Sequence, residues 1–213
     1  MAHLRAIDIP APHGLLEGLL RTADETPGLP AMAALVCHPH PLYGGSMHTK
    51  VVFRIAQTLA DLGIPTLRFN FRGVGRSTGF YDDGAGESED VHSALDALAE
   101  LYPGTPLCLA GFSFGAWVGL PVGCADARVT QIIGVGVPAD TLMRTSWLPG
   151  CDKPKLIVQG TQDEYGSEPG IREWVSHLSE PKELVLVPGS DHFFTGYQTQ
   201  LASAIRGYFT RRG

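Results

Sequence analysis

The chain has 213 residues, 44% hydrophobic and 18% charged, which suits one sizeable domain with a real core and argues against a disordered polypeptide. A formal net charge of −6 and a pI near 5.7 offer no basic surface for nucleic acid, and Arg211 and Arg212 read as a solvated terminus. The start MAHLRAIDIPAPHG lacks a charged segment ahead of an apolar stretch, and no apolar run nears the roughly 20 residues of a membrane span, so the expected location is cytoplasmic.

In chain order, LRAIDI (4–9) and GLLEGLLRT (14–22) read as two strands joined by the turn PAPHG, hence a hairpin. A loop by composition, ADETPGLP, leads to AMAALVCH, a short apolar run of the kind found in a strand buried on both faces. Residues 47–62 place Val51, Ile55, Thr58, Leu59 and Leu62 on one helical face, with Gly63 closing the end. The strand IPTLRFNF, the helix GESEDVHSALDALAELY and the strand PLCLAGF follow. The remaining pattern is helix 113–124, strands 129–137 and 154–160, helix 167–178, strand 183–187 and helix 195–211. Strands alternating with helices of this length imply parallel pairing through crossover helices, so the expected fold is α/β, one mostly parallel sheet of about eight strands covered on both faces, spanning residues 1–213 as a single domain.

In open sheets of this kind, reactive groups collect in the loops that leave the carboxyl ends of strands. Those loops carry HPHPLYGGSMH, NFRGVGRSTG, GFSFG, GTQDEYG and PGSDHFF. The stretch GFSFG, at a strand-to-helix junction, fits the GxSxG elbow, in which a sharp turn lifts a serine hydroxyl clear of the sheet and flanking glycines permit close packing. Ser113 is the expected nucleophile. Asp163 and His192 follow, each just past a strand, in the chain order Ser, Asp, His. Asp191 and Asp140 are the alternative acids.

With those elements placed, the chain resembles an α/β-hydrolase over nearly its whole length. HPHPLYGGSMHTKVV, FNFRGVGRSTG, GFSFGA and GSDHFF are similar to small bacterial serine hydrolases of that superfamily, near the dienelactone hydrolases, although those proper use a cysteine where this chain has Ser113. The resemblance implies Ser113 as nucleophile, His192 as general base and Asp163 as its orienting acid, acting on a small ester or related acyl compound through an acyl-enzyme. It implies no metal or organic cofactor. An oxyanion hole needs two backbone donors, and the Phe114 amide is expected to be one. The second comes from the HPHP loop, where Pro39 and Pro41 have no N–H, leaving His40, with Leu42 as the runner-up. In this fold a cap is usually inserted after the sixth strand; residues 139–153, ADTLMRTSWLPGCDK, are too few to build one. No cap domain is therefore expected. Leu142, Met143, Trp147 and Leu148 could form a partial lip and Leu42 a further apolar contact, so compact acyl groups are the expected substrates.

The other signals read as structural. His38 and His40 lack the carboxylate or cysteine partners that would complete a metal site, so His38 is expected to serve its loop. RGVGRSTG misses the GxGxxG spacing and reads as a turn. Glu87, Glu89 and Asp90 are expected to face a helix dipole, and Trp117 to lie in the core. Cys37, Cys108, Cys124 and Cys151 show no CxxC spacing and are expected as free, apolar thiols.

Overall fold

Alternating apolar residues in the first two segments make an antiparallel pair, β1 (His3–Ala11) and β2 (Gly14–Thr22), closed at Ala11 and Gly14. The computed structural model describes residues 3–22, 30–139 and 150–211. The following strands are β3 (Ala33–Cys37), β4 (Thr66–Phe69), β5 (Leu107–Phe112), β6 (Val129–Val135), β7 (Lys155–Gly160) and β8 (Lys182–Val187). They form one eight-stranded sheet in the order β1-β2-β4-β3-β5-β6-β7-β8. From β4 to β8 every pairing is parallel, while β2 joins β4 antiparallel and so attaches the hairpin at one edge.

Five helices among the described residues cover the sheet: α1 (Lys50–Asp61), α2 (Ala85–Leu101), α3 (Phe114–Ala125), α4 (Glu168–Ser176) and α5 (Gln198–Thr210). The period of two along the strands sorts them into layers. Leu35 and Cys37 of β3 join Leu67, Leu109 and Ile157 in a core shared with α2, α3 and α4. Ala34 and Val36 point the other way, with Ala110, Val135 and Val158, against α1 and α5. Each fully buried leucine or valine contributes about 1.5–3 kcal/mol, so both faces of the central strands must be covered for the apolar runs to be stable. The mostly parallel, two-faced sheet expected from the sequence is the one observed.

Some boundaries and contacts differ. The last helix begins at Gln198 instead of 195, because Phe194 takes a positive φ of 53° and residues 191–197 close as successive turns, Phe194 N–H to Asp191 O and Tyr197 N–H to Phe194 O. Asp90 does not serve the helix dipole. It accepts from the Arg72 backbone N–H at 2.8 Å and from that guanidinium at 2.8 and 3.0 Å, while Glu87 caps α2 by accepting from the Gly84 N–H. The cysteine reading is corrected at one pair. Cys37 and Cys108 are free and buried, but Cys124 and Cys151 are disulfide-bonded, because the fold brings the end of α3 beside the approach to β7 across 27 residues of sequence. A separation of that length leaves no local spacing signature. Among the described residues, no helix is long and apolar enough to cross a membrane.

Candidate active site

The turn from β5 into α3 answers why one serine is bracketed by glycines. Ser113 has φ 55° and ψ −120°, a left-handed conformation that costs a non-glycine residue of order 1–3 kcal/mol and persists only where its surroundings hold it. Its backbone N–H donates to Val135 O at 2.9 Å, tying the turn to β6. A Cβ on Gly111 would lie 2.4 Å from Gly115 O, and one on Gly115 would lie 2.5 Å from both Cys37 O and His38 O. The glycines let the first turn of α3 lie directly on its own strand and on the end of β3.

Ser113 is the first member of a hydrogen-bonded chain. His192 Nε2 lies 2.9 Å from Ser113 Oγ, and His192 Nδ1 lies 2.8 Å from Asp163 Oδ2. Ser113 follows β5, Asp163 follows β7 and His192 follows β8, so three strands of the parallel sheet deliver three side chains to one end of it. The Asp163 carboxylate accepts four hydrogen bonds. Oδ1 takes the Tyr165 and Gly166 amides at 2.8 and 3.1 Å, and Oδ2 takes Gln159 Nε2 at 2.9 Å besides the histidine. A carboxylate so saturated is fixed in place, and it fixes Nδ1 as the protonated nitrogen of His192, leaving Nε2 to face the serine. The imidazole lies against Phe112 and Tyr165, with ring centroids at 5.0 and 4.6 Å. The alternative acid Asp191 is placed elsewhere: its Oδ1 accepts from Thr195 N–H at 2.8 Å, closing the turn that follows the histidine. Burial pushes its carboxyl up, but bonds to the Thr195 and Phe193 amides and the neighbouring His192 outweigh this and hold it below the usual aspartate value. Asp140 lies outside the described residues.

The loop after β3 forms the facing wall. His38 is wholly buried; its Nδ1 donates to Pro39 O at 2.6 Å and its Nε2 accepts from Phe71 N–H at 3.0 Å. Both ring nitrogens are thus used in holding the loop, and burial holds the group down at about 4. Residues Pro41–Tyr43 make a single 3₁₀ turn capped by His40, whose Nδ1 accepts from Leu42 N–H at 3.2 Å. The Leu42 amide is therefore engaged, and its side chain is 65% exposed and does not line the cleft. His40 does line it, its ring between Tyr43, Tyr81 and Phe114 at 4.6–5.0 Å, with Nε2 3.2 Å from the Tyr81 hydroxyl. Burial lowers the His40 imidazole despite the opposing fields of Glu87 and Asp83. Phe114 opens α3, where a first-turn amide has no carbonyl four residues back to bond. Strand β4 and its extension support the loop from behind, Asn70 Oδ1 accepting from Met47 N–H at 2.8 Å and Arg68 Nη1 donating to Met47 O at 2.9 Å.

Ser113 and His192 open on a cleft of about 650 Å³, whose walls include His40, Tyr43, Phe114, Trp117, Tyr165 and Phe193. Trp117, expected in the core, is half-buried: it packs against the core and also forms part of this wall, since one turn along α3 from Phe114 returns to the cleft side. Leu142 and Trp147, expected as substrate contacts, lie outside the described residues, as do Met143 and Leu148. Sequence reasoning missed Gln159, Tyr165 and Phe193. Gln159 had a signal, an amide ending the buried run KLIVQG, where an unpartnered polar group would be costly. Phe193 had only its place beside His192.

Comparison with known proteins agrees with this architecture. A family model described as an alpha/beta hydrolase domain matches residues 34–204. An uncharacterised protein of Rickettsia prowazekii is 36% identical over 205 residues, covering 92% of this chain and 85% of that protein. Among solved structures, an alpha-beta serine hydrolase homologue from Coxiella burnetii aligns with TM-score 0.88 and 38% identity over 95% of this chain and 96% of the other. A serine hydrolase without lid from Xanthomonas campestris aligns with TM-score 0.88 and 33% identity, covering 98% and 94%. A human mitochondrial palmitoyl-protein thioesterase is 34% identical over 124 residues, 56% of this chain and 39% of the thioesterase. The chain belongs to the alpha/beta hydrolase family.

Proposed function

We propose that this hydrolase cleaves carboxylic esters of short or compact acyl groups, with Ser113 as nucleophile, His192 as general base and acid, and Asp163 as the orienting carboxylate. The observation that carries the reading is the unbroken chain Ser113 Oγ, His192 Nε2, His192 Nδ1, Asp163 Oδ2, with links of 2.9 and 2.8 Å, opening on the cleft. A serine hydroxyl is a weak nucleophile near neutral pH, so His192 takes its proton as Oγ attacks the acyl carbon. The charge on the tetrahedral oxygen is met by the amides of Phe114 and His40, each such donor contributing about 3–4 kcal/mol of transition-state stabilisation. Collapse releases the alcohol, protonated by His192, and leaves an acyl-serine that water hydrolyses by the same route in reverse order. Nucleophile, base and orienter are all supplied by the chain, and no step is assigned to a metal or cofactor.

A thioester substrate is the second reading, favoured by the partial likeness to a palmitoyl-protein thioesterase. Esters and thioesters of graded acyl length decide between them. The proposal expects kcat/KM to peak at short acyl esters; a steady rise to twelve or more carbons, or thioesters outrunning matched esters at every length, overturns it.

A further inference from the structure

The stretch HPHP (38–41) carries two histidine side chains that the acyl-transfer scheme does not use, and the peptide between them bears the proposed second oxyanion donor, the His40 N–H. Pro39 and His40 line the cleft with Ser113. Their peptide bond is trans, so Pro39 O and the His40 N–H point in opposite directions. Pro39 O lies 2.6 Å from Nδ1 of the wholly buried His38 and accepts from it, which turns the N–H edge of the same peptide away from His38.

The other end of that peptide is held by His40 itself. Its carbonyl accepts from the Tyr43 and Gly45 N–H groups at 3.2 and 3.1 Å, and its side-chain Nδ1 accepts from the Leu42 N–H at 3.2 Å. A Cβ on Gly45 would lie 2.1 Å from Pro39 O, so residues 41–45 close back directly onto the donor peptide. Pro39 and Pro41, with φ fixed by their rings, narrow the conformations open to the whole stretch.

The Leu42 bond dictates where the His40 proton sits. Nδ1 accepts only while it carries no proton, so in the neutral ring Nε2 carries it and donates to Tyr81 Oη at 3.2 Å. Burial, followed by the Asp83 and Glu87 carboxylates, holds the Tyr81 hydroxyl above the ordinary phenol value. The groups that face His40 are Tyr43 from its own turn, Tyr81 and Asp83 from the segment before α2, Glu87 from the first turn of α2, and Phe114 from α3. Burial outweighs the pull of the Glu87 and Asp83 carboxylates and keeps the imidazole below the ordinary histidine value. A proton added at Nδ1 would set one N–H against the Leu42 N–H and open the turn.

We propose that His40 and Tyr81 are positioning residues for the oxyanion: the neutral imidazole, steered by the Tyr81 hydroxyl, holds the Pro39–His40 peptide with its N–H on the tetrahedral oxygen, and protonation of His40 withdraws that donor. This rests on the Ser113 and His192 reading above. Neither side chain makes or breaks a bond of the substrate.

One soluble acetate ester serves for the whole test. His40→Ala is expected to lower kcat about 30-fold while KM changes less than about threefold, because a displaced oxyanion donor is lost from the transition state and not from ground-state binding. His40→Asn, whose side-chain oxygen can accept from the Leu42 N–H without titrating, recovers about tenfold over His40→Ala. Tyr81→Phe keeps the ring, loses one hydroxyl and lowers kcat about fivefold. The ratio of kcat/KM, wild type over His40→Asn, is expected to fall between pH 8 and pH 5, since only the wild type loses its donor on protonation. His192 titrates in both proteins and cancels, and His38, held at about 4, titrates below that range. Should His40→Ala fail to fold, this ratio decides alone. A ratio constant from pH 8 to pH 5, or wild-type kcat in His40→Ala, with Ser113 still labelled by a fluorophosphonate, overturns the positioning role and leaves the hydrolase reading standing. Absence of both turnover and labelling in the unaltered protein overturns both.

Discussion

Asp163 and His192 are buried and every side-chain polar atom of the pair is hydrogen-bonded, whereas at the mouth of the same cleft Tyr43, Tyr165 and Phe193 stand 87%, 56% and 48% exposed. The first region is fixed by four bonds to one carboxylate; the second is held by ring contacts such as Tyr165 against His192 at 4.6 Å. The difference fits the roles proposed for each. Charge that develops during proton transfer is stabilised best by groups that need no reorganisation, so the buried end is rigid. Binding an acyl group or leaving group draws on area and shape, which rings at an open mouth provide without fixed polar partners.

Substitutions at the two ends should therefore differ by orders of magnitude. Ser113→Ala is expected to lower kcat by about 10⁶ while the fold is retained, and Asp163→Asn by about 10⁴, since the wrong histidine tautomer would then face the serine. Asp191→Asn, which alters the turn around Phe193 and Thr195 and not the Nδ1 partner of His192, should stay within about tenfold of wild type. A steady-state series on one ester checks the ranking, and Asp191→Asn proving the more damaging would move the acid.

Gln159→Leu probes the support of the buried end. Gln159 Nε2 donates to Asp163, and its Oε1 accepts from Val137 N–H at 2.8 Å, so the variant leaves a buried amide unpaired. The expected cost is about 1–3 kcal/mol in urea unfolding, with kcat lowered more than KM is changed.

His38 gives a pH-dependent test of the loop facing Ser113. Its folded value of about 4 lies below the ordinary histidine value near 6.5, so between these limits the unfolded chain binds more protons and stability falls as pH is lowered. The slope approaches about 1.4 kcal/mol per pH unit within that window and vanishes above it. Unfolding of His38→Asn should show lower stability at pH 7, because Phe71 N–H loses its partner, and a shallower decline from pH 6.5 to 4.5. Parallel curves for the two proteins would contradict this account.

The smallest effects are expected at the rim. Tyr43→Ala and Tyr165→Ala should change KM by about two- to fivefold with kcat nearly unchanged for a small ester, the loss of one partly exposed ring contact. Equal losses in kcat would place the rim in the chemistry and erase the contrast.

The buried end was far more legible in the sequence than the mouth. GFSFG, Asp163 and His192 each sit directly after an apolar strand, and a strand-end residue in a parallel sheet is delivered to one side of the fold by topology alone. The elbow glycines could be read as close-packing positions before any contact was known. The mouth depends on side chains from loops that meet only after folding, so Tyr165 and Phe193 carried no spacing signal and Trp117 looked like core. Leu42 illustrates the same limit: its apolar character suggested a substrate contact, but the 3₁₀ turn capped by His40 aims it at solvent. The pairing of Cys124 with Cys151 likewise depends on where α3 ends relative to β7, which no local motif reports.

The central claim, that one strained serine is activated by the buried pair behind it, is tested most directly by reaction with a fluorophosphonate followed by mass mapping of the labelled peptide. A single adduct at Ser113 is expected, absent in Ser113→Ala and formed much more slowly in Asp163→Asn. An adduct on another serine, or labelling of Ser113→Ala at the wild-type rate, would contradict it.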